Sequence, residues 1–162
     1  MKQKTGNKKQ ETRNKKYITN NSEQTKKLGE KLAKEILKKK PKDQAFVIGL
    51  EGELGGGKTT FLQGLAKGLG IKEKILSPTF VIVKRFQLKN LLTYKLTNLY
   101  HFDCYRIEKS KELLDLGFKD IISSPHNIVV IEWADKIKRI MPKNTLWIKF
   151  DFVDEKKRKI VF

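Results

Sequence analysis

Two spacings of apolar residues alternate along this chain. Leu28, Leu32, Ala33, Ile36 and Leu37 recur at helical intervals and predict a helix with one buried stripe. Asn20 or Ser22 is expected to cap it, Glu23 stands in its first turn, Lys38 to Lys40 crowd its negative dipole end, and Pro41 stops it. Ala45-Phe46-Val47-Ile48-Gly49-Leu50 is a short continuous apolar run, the pattern of a buried strand. Phe61, Leu62, Leu65, Ala66 and Leu69 then return to helical spacing over 60–69, with Gly70 placed to close the helix. Beyond Pro78, strands are expected from Val81 to about Leu88 and from Leu92 to Phe102, the second interrupted around Lys95 to Asn98. The turn at Lys89-Asn90 makes them an antiparallel pair.

The rest of the chain continues the alternation. Short helices are predicted from Lys111 to Leu116, ended by Gly117, and from Phe118 to Ile122. Asn127 to Ile131 is a second buried strand, ending in Glu132-Trp133, and Ala134 to Ile140 is a brief helix before Pro142. Over 145–153, Leu146, Ile148, Phe150 and Phe152 alternate and predict one buried face; Lys157 to Phe162 returns as a last strand, and Tyr17-Ile18-Thr19 reads as a short strand or extended lead-in. Strands alternating with helices give an α/β fold, a mixed sheet with a parallel core and antiparallel strands, flanked by helices.

A glycine-rich stretch joins the first buried strand to the second helix. Gly52-Glu53-Leu54-Gly55-Gly56-Gly57-Lys58-Thr59 fits G-x-x-x-x-G-K-[ST]. Strand, glycine loop and helix form the context that a phosphate-binding loop requires. Its backbone N–H groups turn inward around an anion, which glycine permits, and the helix aims its positive end at the same point. Lys58 is expected to bridge β- and γ-phosphate oxygens, and Thr59 to place a hydroxyl on Mg²⁺.

Mg²⁺ in such a site takes oxygen ligands, and carboxylates at neighbouring strand tips are the usual suppliers. Asp103 follows Leu99-Tyr100-His101-Phe102, and Glu132 follows four aliphatic residues. Packing does not explain a charge at the end of a buried strand. One of the two is expected to bind metal; the other polarises the attacking water or holds a metal-bound water. The residues alone leave the order open. Thr79 is a candidate switch residue that senses Mg²⁺ and the γ-phosphate. Arg106 is expected to pair with an acidic neighbour or with phosphate, and Trp133 to lie at the surface near the site. His101 and His126 stand outside any ligand pattern, and Cys104 is expected to fill space at a strand end.

Length and composition narrow the setting. With 162 residues and 38% hydrophobic content, one domain is expected over 17–162. Residues 1–16, polar and basic, are expected to form a disordered tail. No membrane-spanning run and no apolar signal region is seen, and the single Cys104 fits a reducing cytoplasm. The formal charge of +18 fits a nucleic-acid partner, directly or through a complex, or else a lysine bias spread over every exposed face.

Four motifs in this order carry a resemblance: Gly52 to Thr60, Ser77-Pro78-Thr79-Phe80, His101-Phe102-Asp103-Cys104-Tyr105-Arg106, and Glu132-Trp133. From about Ile18 onward the chain resembles the TsaE (YjeE) family, small P-loop ATPases of bacterial tRNA threonylcarbamoyladenosine synthesis. The resemblance implies a Mg²⁺-dependent ATPase, slow alone, acting with TsaD and TsaB and meeting tRNA indirectly through that complex. There TsaD's assembly modifies the adenosine 3′ of the anticodon, and the ATPase supports or resets it. The resemblance also implies that Lys58, Asp103 and Glu132 are the catalytic set, with Glu132 near the metal. It puts Thr25 by the adenine, and Glu53, Gly55, Gly56, Gly57, Lys58, Thr59 and Thr60 around the phosphates. Lys156-Lys157-Arg158 departs from the glycine-arginine usual near the last strand. Two rival readings stay open: an ATP-gated adaptor without catalysis, and a P-loop kinase for a small acceptor.

Overall fold

The computed structural model describes residues 14–40, 42–89 and 96–162. Seven strands form one sheet: β1 (Lys16–Thr19), β2 (Phe46–Gly52), β3 (Val83–Gln87), β4 (Asn98–Asp103), β5 (Asn127–Glu132), β6 (Leu146–Phe152) and β7 (Arg158–Val161). Their order is β1-β7-β6-β2-β5-β4-β3. The four central strands are parallel; β3 adds antiparallel at one edge, β7 and β1 at the other. The helices are α1 (Ser22–Lys38), α2 (Lys58–Gly68), α3 (Lys111–Asp115) and α4 (Phe118–Ser123), with a 3₁₀ segment at Ala134–Ile140. This is the α/β fold expected from the spacings.

Alternation along the central strands divides the core. Ile48, Leu50, Ile128, Val130, Ile148 and Phe150 face α1 and α2. Val47, Phe102, Val129 and Ile131 face α3, α4 and the 3₁₀ segment. Glycines bring α1 and α2 very close: a Cβ on Gly64 would stand 1.9 Å from Lys26 O, and one on Gly29 2.2 Å from Phe61 O. That contact fixes where α2 begins, and so where the glycine loop ends.

Several expectations shift. The cap of α1 is Asn21, not Asn20 or Ser22; its side chain accepts from Gln24 N at 2.9 Å, and Gln24 Oε1 accepts from Asn20 N at 2.8 Å. Asn21 stands three residues before Gln24, whose amide is the last in the first turn without an intrahelical acceptor. The first strand starts at Lys16, one residue inside the expected tail, because Lys16 pairs with Val161; residues 1–13 of that tail lie outside the described residues. So do Pro41 and the turn at Asn90 with the chain to Lys95. Phe152 closes the alternating run of β6 yet is 54% exposed; the Arg158 guanidinium covers its ring at 4.7 Å. Among the described residues no helix is long and apolar enough to cross a membrane.

Candidate functional site

The carboxyl ends of the parallel strands open into a cavity of about 940 Å³. Its floor is the loop between β2 and α2. Gly52, Gly55 and Gly57 take φ of 142°, 77° and 99°; at Gly52 a Cβ would also meet Phe150 O at 2.3 Å. Only glycine allows this path. Gly56 N donates to Glu53 O at 3.0 Å, and the first turn of α2 starts at Lys58 with its amides toward the loop. An anion cradle of this kind is what phosphate chemistry needs.

Lys58 is 5% exposed. Its ammonium donates to Gly52 O at 2.6 Å and Glu53 O at 2.9 Å, and stands 4.0 Å from the Trp133 ring centroid. Burial pushes its pKa below 10.5, while the charges of Glu132 and then Asp103 pull it back up. Trp133, with φ 58°, follows Glu132; its ring lies tilted at 54° to that of Tyr105 with centroids 5.1 Å apart, and it both lines the cavity and packs against the core on the α3 side.

The two acids meet here. Asp103 and Glu132 end adjacent strands and are register partners. Glu132 follows Ile128 and Val130 by steps of two, so it emerges on the α2 face. There both its oxygens accept from Thr59 Oγ1, at 2.9 and 3.0 Å. Asp103 shares that face. Its Oδ2 accepts from Thr79 Oγ1 at 3.0 Å and from Ser77 Oγ, and its Oδ1 from Tyr105 N at 2.9 Å. Thr59, Thr60, Thr79, Asp103 and Glu132 all line the cavity. Thr25 lines it too, buried and hydrogen-bonded to Thr19 at 2.8 Å. Glu53 contributes its carbonyl oxygen, which accepts from Lys58 Nζ and from Gly56 N.

Arg106 goes elsewhere. Its guanidinium lies 4.6 Å over Phe80, and among the described residues no carboxylate stands within 4.0 Å of it. The rim arginine is instead Arg158, whose Nε donates to Gly55 O at 2.8 Å. Its neighbour Lys156 lines the same rim. Nothing in the spacing of the last strand singled it out. His101 was also missed: its Nε2 lies 2.9 Å from Glu132 Oε1 in the core. The signal was available, since His101 stands two residues before Asp103 and so shares its face. Cys104 fills the strand end as expected, and burial pushes its thiol up to about 12.

The donors fit Mg²⁺. A hydroxyl and a carboxylate in contact, with a second carboxylate one strand away, are hard oxygen groups. Among the described residues no group of three or more His, Cys, Asp or Glu could hold a metal ion.

A parallel sheet with a glycine loop at its carboxyl edge, a buried lysine and a hydroxyl faced by an acid define a P-loop NTPase-like protein. The model of the family described as "Threonylcarbamoyl adenosine biosynthesis protein TsaE" matches residues 19–160. The chain belongs to the TsaE family. It is 33% identical over 129 residues to the tRNA threonylcarbamoyladenosine biosynthesis protein TsaE of Haemophilus influenzae, covering 80% of this chain and 77% of that one. It is 39% identical over 116 residues to the Bacillus subtilis protein of the same name, covering 72% and 68%. The crystal structure of Bacillus subtilis YdiB superposes with a TM-score of 0.64 at 31% identity, over 92% of this chain and 84% of that one.

Proposed function

We propose that this chain is a Mg²⁺-dependent ATPase of tRNA threonylcarbamoyladenosine biosynthesis, working in the cytoplasm with TsaD and TsaB. Family membership and the names of the relatives support the pathway. One observation supports hydrolysis above the others: the carboxylate of Glu132 sits against the Thr59 hydroxyl at 2.9 and 3.0 Å. That joins an acid from β5 to the first turn after the phosphate loop.

In this reading the β- and γ-phosphates lie in the cradle from Gly52 to Lys58. Lys58 turns its ammonium from two loop carbonyls to phosphate oxygens, a move that needs only a change of acceptor. Thr59 and Glu132 hold Mg²⁺, which when bound neutralises charge on those oxygens. Asp103 accepts a hydrogen bond from the attacking water, or from a water that the metal would hold, in the place where it now accepts from Ser77 and Thr79. Thr25 and the Arg158 rim flank the nucleoside side.

The same loop supports the partner reading. Leu76, Phe80 and Val81 are 59%, 85% and 65% exposed beside the hydroxyls that hold Asp103, so a protein docking on them acts on the site. An arginine finger is worth roughly 10³–10⁵ in rate, and Arg106 is engaged on Phe80. Phosphate release from ATP is therefore expected to be slow alone, to need Mg²⁺, and to rise when TsaD and TsaB are added. Equal rates with and without the partners overturn the coupling. The adaptor alternative predicts that Glu132→Ala keeps pathway function without hydrolysis; the ATPase loses both. A kinase predicts label from ATP in an organic acceptor instead of free phosphate.

A further inference from the structure

We infer that His101 is a positioning residue that holds the Glu132 carboxylate from inside the core. The inference rests on the hydrolytic reading above and names a residue which that reading does not use. In β4, Leu99, His101 and Asp103 project to the α2 face; in β5, Ile128, Val130 and Glu132 do the same. His101 pairs in register with Val130, one rung below the Asp103–Glu132 pair. The imidazole is fully buried. A carboxylate only accepts, so Nε2 carries the proton donated to Glu132 Oε1 across 2.9 Å. The other ring nitrogen, Nδ1, has no hydrogen-bond partner among the described residues.

That unmet nitrogen argues against a packing role. Its neighbours on this face, Leu99, Ile128 and Val130, are aliphatic and fully buried. A buried polar atom without a partner destabilises the fold, and an aliphatic side chain would avoid it. What the imidazole provides is one directed donor to Glu132. Thr59 gives Glu132 its other contact, but its hydroxyl is shared between both oxygens and is committed to Mg²⁺ when nucleotide binds. His101 is then the hold that remains, and it fixes which way the carboxylate faces. Partners of metal-ligand carboxylates typically matter by about 10- to 100-fold in metal affinity or activity.

The test compares His101→Asn, too short to reach Glu132, with His101→Gln, whose amide nitrogen reaches where Nε2 stood. Each is made in the full chain and in a Glu132→Ala background. Three quantities are read: binding of a fluorescent ADP analogue without divalent ion, the Mg²⁺ concentration that half-saturates the Mg²⁺-dependent binding, and phosphate release. His101→Asn is expected to bind ADP without Mg²⁺ as the wild type does. It should need about 10- to 100-fold more Mg²⁺ and lose a like factor in turnover. His101→Gln should recover most of both, and Glu132→Ala should abolish the difference between the variants. Should His101→Asn not fold, His101→Leu replaces it, with the same result expected. A wild type that needs Mg²⁺ alongside Asn and Gln variants that behave alike overturns the inference alone. So does a defect that persists undiminished in the Glu132→Ala background. A wild type with no Mg²⁺ dependence in binding or turnover overturns the hydrolytic reading and takes this inference with it.

Discussion

The tips of β5 and β4 bear neighbouring carboxylates and hold them by opposite means. Glu132 is gripped by regular structure: Thr59 on α2 and His101 on β4. Asp103 is gripped by a loop, through Ser77 and Thr79, and among the described residues Tyr105 N is its one further donor. The loop between Ser77 and Val83 buries Pro78 and lays Ile82 against the core, yet leaves much of its apolar surface outside. Leu76, Phe80 and Val81 face solvent, and Ile82, β-branched, sits at φ 66°, a conformation such residues rarely adopt. Segments with little buried apolar surface open at low free energy. One acid therefore belongs to the framework, and the other moves with whatever moves the loop.

The largest effect should come from the framework acid. Glu132→Gln keeps the shape and removes the charge at Thr59; turnover should fall by about 10²–10³, the loss typical of one pre-placed electrostatic group. Asp103→Asn should lower turnover as well, with a difference in kind. Its effect should depend on whether the partners are present, because the loop that holds it is the one proposed above as their docking surface. Steady-state phosphate release for both variants, with and without TsaD and TsaB, decides this. Identical partner dependence for the two breaks the comparison.

The framework can also be disturbed from a distance. Gly64→Ala puts a methyl where α1 already stands, 1.9 Å from Lys26 O. Backbone has to move, at about 1–3 kcal/mol for overpacking. For a chain of this size that lowers Tm by about 2–4 °C per kcal/mol. The displaced α2 should carry Thr59 away from Glu132 and leave Asp103's contacts in place. Thermal unfolding and Mg²⁺-dependent nucleotide binding should thus both weaken; an unchanged Tm refutes the close contact.

A smaller effect is expected on the loop side. Thr79→Ala removes one of two hydroxyl donors to Asp103 Oδ2, a net hydrogen bond of about 0.5–1.5 kcal/mol. Since Ser77 remains, turnover should drop by less than in Asp103→Asn. Ser77→Ala with Thr79→Ala should approach it. A double variant no worse than either single one shows that the hydroxyls do not act together on Asp103.

The difference between the two tips also explains what could be read in the sequence. Glu132 was legible because β5 is a continuous apolar run and a charge at its end has no packing reason. The phosphate loop was legible because its glycines are dictated by backbone geometry within eight residues. The contacts of Asp103 were not, since Ser77 reaches it across 26 positions and nothing local encodes that approach. Arg158 approaches Gly55 across 103 positions, which depends on β7 lying beyond β6. The acidic neighbour expected for Arg106 is not found among the described residues; an exposed aromatic, Phe80, was not weighed as a cation's partner. The cap of α1 slipped by one among Asn20, Asn21 and Ser22, three adequate caps in a row.

Lys58 offers the finest probe of the comparison, since both acids act on its charge. Burial holds its pKa below the unfolded 10.5, and Glu132 raises it more than Asp103 does. Glu132→Gln should therefore lower the Lys58 pKa further than Asp103→Asn, as read from the Nζ-proximal carbon shift in an NMR titration. The sign of the linked stability follows. Between the lowered folded value and 10.5 the unfolded chain binds more protons than the folded one, so stability due to this group rises with pH. It is fully present above 10.5 and lost as pH falls through the folded value. Comparing wild type with Lys58→Met cancels the other titrating groups, and the wild type should gain on the variant as pH rises through that window. A gain that runs the other way, or an equal response to the two acid substitutions, means that Lys58 does not distinguish the framework carboxylate from the loop-held one.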